Sequence, residues 1–121
     1  MVAAGGATGA LARFGISSLV ERVAVPWFPL GTLAVNVMGC LVLGAISGHV
    51  HTREDLSEPV RLLVVVGVLG SFTTFSTFAG ETVVLAREGR MTMALANVAL
   101  SLVAGLGSMV IGWWIGQQLS R

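Results

Sequence analysis

The sequence predicts an all-α integral membrane protein, a single transmembrane domain of four spanning helices with a break in the third. Three observations carry that prediction. Hydrophobic residues make up 55% of the chain and charged ones 11%, with a mean hydropathy of +0.88, so too few polar groups remain to cover a water-soluble globule of this size. The apolar residues fall into four runs separated by short polar or proline-containing turns, and no soluble domain is left over. Inside the third run lies GVLGSFTTFSTFAGE, Gly67 to Glu81, which crowds glycines, three phenylalanines and a dense set of hydroxyls into a few turns. At membrane depth, irregular backbone is tolerated only where it is buried in protein or lines a water-filled cavity. That stretch therefore reads as a broken helix lining a permeation path.

The first run, Val2 to Val20, is interrupted only by Arg13 and matches the ~20 residues that a ~30 Å hydrocarbon core requires. No basic residue precedes Arg13, so the run reads as a retained helix, not a cleaved leader. It ends at Glu21 and Arg22. Pro26, Trp27 and Pro29 then make a turn with an aromatic of the kind enriched at membrane interfaces. The second span is expected from Leu30 to about Val50, followed by a water-exposed loop from His49 to Glu58. Ser57 before Glu58 and Pro59 marks the next helix start. As one unbroken helix, residues 59–86 would be roughly 42 Å long at ~1.5 Å per residue, more than the membrane core; an interruption around Gly70 to Ser76 absorbs the excess. The turn Arg87 to Arg90 leads to a fourth span over 91–119.

Four spans put Arg53, Arg61 and Arg121 on one side of the membrane and Arg22, Arg87 and Arg90 on the other. Orientation follows the Lys and Arg excess in short loops, and here there is no excess, so the chain is expected to insert both ways. Four helices are also too few to enclose a lined path while covering their own polar faces. An antiparallel homodimer with a two-fold axis in the membrane plane answers both points. The net charge of +1 offers nothing to nucleic acid.

Small residues spaced GxxxG, at Gly5 and Gly9, Gly44 and Gly48, and Gly112 and Gly116, mark faces where backbones approach closely. Thr32 and Asn36 share a face of the second helix, and Asn97, Ser101, Gly105 and Ser108 form a stripe on the fourth. Buried polar groups in lipid need partners, and these groups either bond helix to helix or line the path. Phe75 and Phe78, three apart, stack on one helical face, as core packing or as path lining; Thr73, Thr74, Ser76 and Thr77 beside them favour lining. Hydroxyls, amides and aromatic ring edges all present positive ends to an anion.

The elements GGATGALARF (Gly5 to Phe14), PLGTLAVNVMG (Pro29 to Gly39) and GVLGSFTTFSTFAGE (Gly67 to Glu81) resemble the CrcB/Fluc family of fluoride channels, in the family's order over nearly the whole chain. The resemblance implies a fluoride-selective, passive channel of the bacterial inner membrane, a dual-topology homodimer with two antiparallel pores. It implies that Phe75 and Phe78 face the permeating fluoride, with Asn36 and Ser101 as pore hydrogen-bonding positions; Thr32, Thr74 and Thr77 are expected as further lining from the polar stripe and the hydroxyl-rich segment themselves. It also implies a structural Na+ on the two-fold axis, held by the main-chain carbonyls of Gly70 and Thr73 from each subunit. The chain departs from the family at Phe14 and Asn97, where tyrosine is common.

Arg13, costly at the centre of a span, either draws anions into a vestibule or bonds to helix ends. Glu81 reads as a cap or vestibule carboxylate. Cys40 stands alone and forms no intrachain disulfide, and His49 with His51 falls short of a zinc ligand set. An alternative is a dual-topology small multidrug transporter, which needs an embedded carboxylate in its first helix where this chain has Arg13. An enzyme is disfavoured, because no Ser/His/Asp set, metal cluster or phosphate loop is recognisable.

Overall fold

The computed structural model describes all residues from Met1 to Arg121. It contains α1 (Val2–Val23), α2 (Leu30–Arg53), α3 (residues 58–72), α4 (Phe75–Arg87) and α5 (Met91–Leu119). α3 opens with an α-helical turn at Glu58–Val60, widens into a π-helix over Arg61–Leu69 and returns to α geometry at Gly70–Phe72. Between α3 and α4 only Thr73 and Thr74 are extended, at φ/ψ of −83°/154° and −150°/113°. The break is thus two residues wide, narrower than the expected 70–76, and it falls where two β-branched residues in succession favour extended backbone. α2 continues through Arg53, past the expected end at Val50, so His49 and His51 sit in its last turns and the loop shrinks to residues 54–57.

Three segments are long and apolar enough to cross a membrane: Leu30–Arg53, Glu58–Arg87 and Met91–Leu119. α1, read from sequence as a fourth span, has the length at 22 residues but is not among them; Arg13 and four glycines dilute its hydropathy. It packs lengthwise on α3. A Cβ at Gly5 would meet the backbone of Leu63 and Gly67, and one at Gly9 the carbonyl of Val68, so the two helices run in parallel at backbone contact. The α2 and α5 pair is built the same way: Gly44 faces Met109, Gly48 faces Trp113, Gly112 faces Leu41 and Gly116 faces Ala45. All three expected GxxxG pairs are used within the chain, where close van der Waals approach replaces a hydrophobic driving force.

Burial is inverted relative to a soluble globule. The buried residues are mainly glycines and the polar Thr32, Thr74, Asn97, Ser108 and Ser120, whereas only Val35, Leu69, Phe72, Leu85 and Ala94 form a buried apolar core. Phe14, Val103 and Val110 remain roughly 70% exposed or more, far too much apolar surface to face water. Lipid, or another apolar surface, must cover it.

Candidate functional site

The break is held open by side chains. Asn36, on α2, donates from Nδ2 to the Thr74 carbonyl (3.0 Å) and accepts the Thr74 N–H on Oδ1 (2.7 Å), a two-point clamp on one residue's backbone. Thr74 caps α4: its Oγ1 accepts the Thr77 N–H (3.2 Å) and donates to Thr77 Oγ1 (2.9 Å). In an unbroken helix the N–H groups of residues 74 and 77 would bond to the carbonyls of residues 70 and 73. Both donors are engaged elsewhere, so Gly70 and Thr73 lose their regular partners. Gly39 on α2 makes room for the break, since a Cβ there would run into the Thr73 side chain.

Two cavities meet at Thr74. The first, about 350 Å³, is walled by Asn36, Gly70, Thr73, Thr74, Phe75, Phe78 and Ser101, with Cys40 and Gly105 behind them. The Phe75 and Phe78 rings lie 5.5 Å apart at 54°, and Phe75 is 78% exposed. Exposure of that size is incompatible with packing inside the chain's own core. The second cavity, about 240 Å³, is polar and is lined by Arg13, Ser17, Glu21, Thr32, Thr74, Thr77 and Glu81. Thr32 Oγ1 donates to Glu81 Oε1 (2.7 Å), and Glu81 Oε2 is buried without a partner. Arg13 makes no ion pair. Glu21 and Glu81 also border the largest cavity, about 490 Å³, between the Val25 to Pro29 turn and Glu88 and Arg90 of the Arg87 to Arg90 turn. The three spaces follow one another from the loops to the break.

Thr32, Asn36, Thr74, Phe75, Thr77, Phe78 and Ser101 each border one of these cavities, Asn36 with both ends of its amide engaged at the break, whereas Ser76 borders none of them. The stripe expected on the last helix divides. Ser101 and Gly105 line the first cavity, Ser108 Oγ donates to the Gly105 carbonyl (2.9 Å), and Asn97 turns instead to Thr82 (2.9 Å). Sequence reasoning missed Thr82 and the Asn36 clamp, which join residues 15 and 38 positions apart.

At the opposite end of the bundle the chain brings together a Ser, His and Asp that the sequence did not suggest. Ser120 Oγ lies 2.6 Å from His49 Nδ1, and His49 Nε2 lies 3.6 Å from Asp55. The serine is 4% exposed, donates to the Gly116 carbonyl (2.8 Å) and borders none of these cavities. With Arg53 Nε donating to the Ser120 carbonyl (2.8 Å), the group latches the end of α5 to α2. His51 stacks on Trp113, and no cluster of His, Cys, Asp and Glu is placed to hold a metal.

A bundle with apolar outer faces, an interrupted helix at mid-span and polar cavities leading to the interruption is a multi-pass membrane protein of the channel and transporter class. The CrcB family model, described as CrcB-like protein, Camphor Resistance, matches residues 1–113, and the chain belongs to that family. It is 48% identical over 119 residues to the fluoride-specific ion channel FluC 2 of Symbiobacterium thermophilum, covering 98% of this chain and 94% of that one. It is 45% identical to the fluoride-specific ion channel FluC of Methylobacillus flagellatus, over 100% of this chain and 92% of the other. Identity to the FluC of Aeromonas salmonicida is 46%, over 92% and 89% of the two chains.

Proposed function

We propose that the chain is a fluoride-selective channel that passively exports fluoride across the bacterial inner membrane and so lowers its cytoplasmic concentration. The observation that carries the proposal is the pair of cavities joined at Thr74, one lined by Phe75 and Phe78 and the other by hydroxyls, Glu81 and Arg13. Names borne by relatives at 45–48% identity supply the ion. Along this route Arg13, with no carboxylate paired to it, attracts an anion electrostatically. Thr77 and Ser101 offer hydroxyl donors, the Thr32 proton being given to Glu81; Asn36 offers the Nδ2 hydrogen not used on Thr74, and the phenylalanines offer ring edges. None of these binds strongly, and conduction requires sites that hold an ion and then release it.

The functional unit is an antiparallel homodimer with two pores, each chain crossing four times. The backbone packing of α1 along α3 supports counting α1 as a span. The exposed Phe75 and the shallow apolar core support a second copy covering this face. Na+ fits the break by its donor set. Gly70 and Thr73 contribute oxygen atoms of the kind a hard cation prefers, and Thr74 and Thr77 have taken away their helical donors. One chain supplies only these two carbonyls, so the site needs the second copy. When bound, the ion supplies positive charge between two facing breaks.

Planar-bilayer recording tests the proposal: under opposed fluoride and chloride gradients the reversal potential should follow fluoride and ignore an imposed pH difference. A reversal potential set by chloride or by protons would refute it. The multidrug-transporter alternative has no support in α1, where the embedded charge is Arg13.

A further inference from the structure

We infer that Asn97 and Thr82 are positioning residues for Phe78, acting on the aromatic lining from outside the path. Asn97 is the most buried polar side chain of the protein, 1% exposed. Its Nδ2 donates to Thr82 Oγ1 (2.9 Å), and Thr82 Oγ1 donates in turn to the Phe78 carbonyl (2.7 Å). Neither residue borders the three cavities described above.

The direction of this relay is fixed by chemistry. A carbonyl only accepts, so the Thr82 hydroxyl must give its one proton to Phe78 and can take only a donor from α5. An amide N–H meets that need, and an aliphatic side chain of the same size does not. A second bond to a helical carbonyl, from a threonine four residues on, tilts the carbonyl outward and bends the helix locally. The bonded carbonyl belongs to Phe78 itself, whose ring meets that of Phe75 at 5.5 Å, so any such tilt acts on the turn that bears it. Asn97 thereby ties the angle of that turn to the neighbouring helix α5. With χ1 staggered, a change in the angle of the turn carries the ring with it.

The inference rests on the reading of Phe78 as path lining, so the test has two separate readouts. In the first, 4-fluorophenylalanine is incorporated at position 78 of the full-length protein and its fluorine resonance is recorded. Asn97→Leu and Thr82→Val should each move the resonance, and by similar amounts. The double variant should move it no further than either single one, because the two residues act in one chain of bonds. Thr82→Ser, which keeps the donor, should leave it in place. In the second readout, fluoride efflux from liposomes should fall about fivefold in the Leu and Val variants, the equilibrium weight of one neutral hydrogen bond, and recover in Thr82→Ser. An unmoved resonance in both single variants, or additive shifts in the double, would overturn the inference. If the resonance moves as stated while the unsubstituted protein passes no fluoride, the relay stands and the channel reading falls.

Discussion

Replacing Asn36 by alanine should close the break. Two hydrogen bonds, of 3.0 and 2.7 Å, tie the Asn36 amide to the backbone of Thr74, and no other side chain bonds to that N–H or carbonyl. A neutral hydrogen bond contributes about 0.5–1.5 kcal/mol, and a stranded buried donor costs about 1–3 kcal/mol. Losing the bond to the Thr74 carbonyl and stranding the Thr74 N–H together cost the extended form of Thr73 and Thr74 about 1.5–4.5 kcal/mol. Continuing the helix offers the Thr74 N–H a partner at once, the Gly70 carbonyl. The balance tips towards a continuous 58–87 helix, which turns Phe75 and Phe78 relative to α2 and removes the carbonyls expected to face Na+. The assay pairs amide hydrogen exchange at residues 73 to 77 with fluoride efflux from liposomes. Exchange at Thr74 should change with the new partner, and efflux should be lost in protein that still migrates as a dimer. Asn36→Asp keeps one acceptor for the N–H but sets a second oxygen against the Thr74 carbonyl, and it should fall between. Wild-type efflux from Asn36→Ala, with unchanged exchange at Thr74, would refute the reasoning.

Other substitutions probe other links. Phe75→Ala and Phe78→Ala should each reduce fluoride flux without abolishing assembly, since both rings border a cavity and Phe75 is largely exposed; flux assays and size-exclusion chromatography separate the two effects. Gly48→Leu should prevent α2 and α5 from closing, because a Cβ there falls on the Trp113 carbonyl. Overpacking of this kind costs about 1–3 kcal/mol or more, read as loss of the folded protein in detergent at lower temperature. Exchanging Na+ for a large organic cation during purification should weaken the dimer in dilution experiments, while added Na+ restores it.

How far the sequence foretold this arrangement varies by element. The helices were legible because apolar runs of membrane length leave few alternatives. The break was legible because hydroxyls and glycines in an apolar run have no other economical explanation. Its width was not, because that depends on Asn36 reaching a backbone 38 positions away, a contact that no local pattern records. The same distance effect gave Asn97 a place in a polar stripe when its partner is Thr82. The π-helical stretch Arg61–Leu69 left no periodic signature in a run that is almost wholly aliphatic. Ser120, His49 and Asp55 were invisible for a related reason: the parallel packing of α2 and α5 makes neighbours of residues 71 positions apart.

The most direct test of the central claim is anion efflux from liposomes carrying the purified protein, followed with fluoride-selective and chloride-selective electrodes. Rapid fluoride efflux with chloride retained is the predicted result. Retention of both ions by a preparation shown to be a folded dimer, or release of chloride as readily as fluoride, would contradict it.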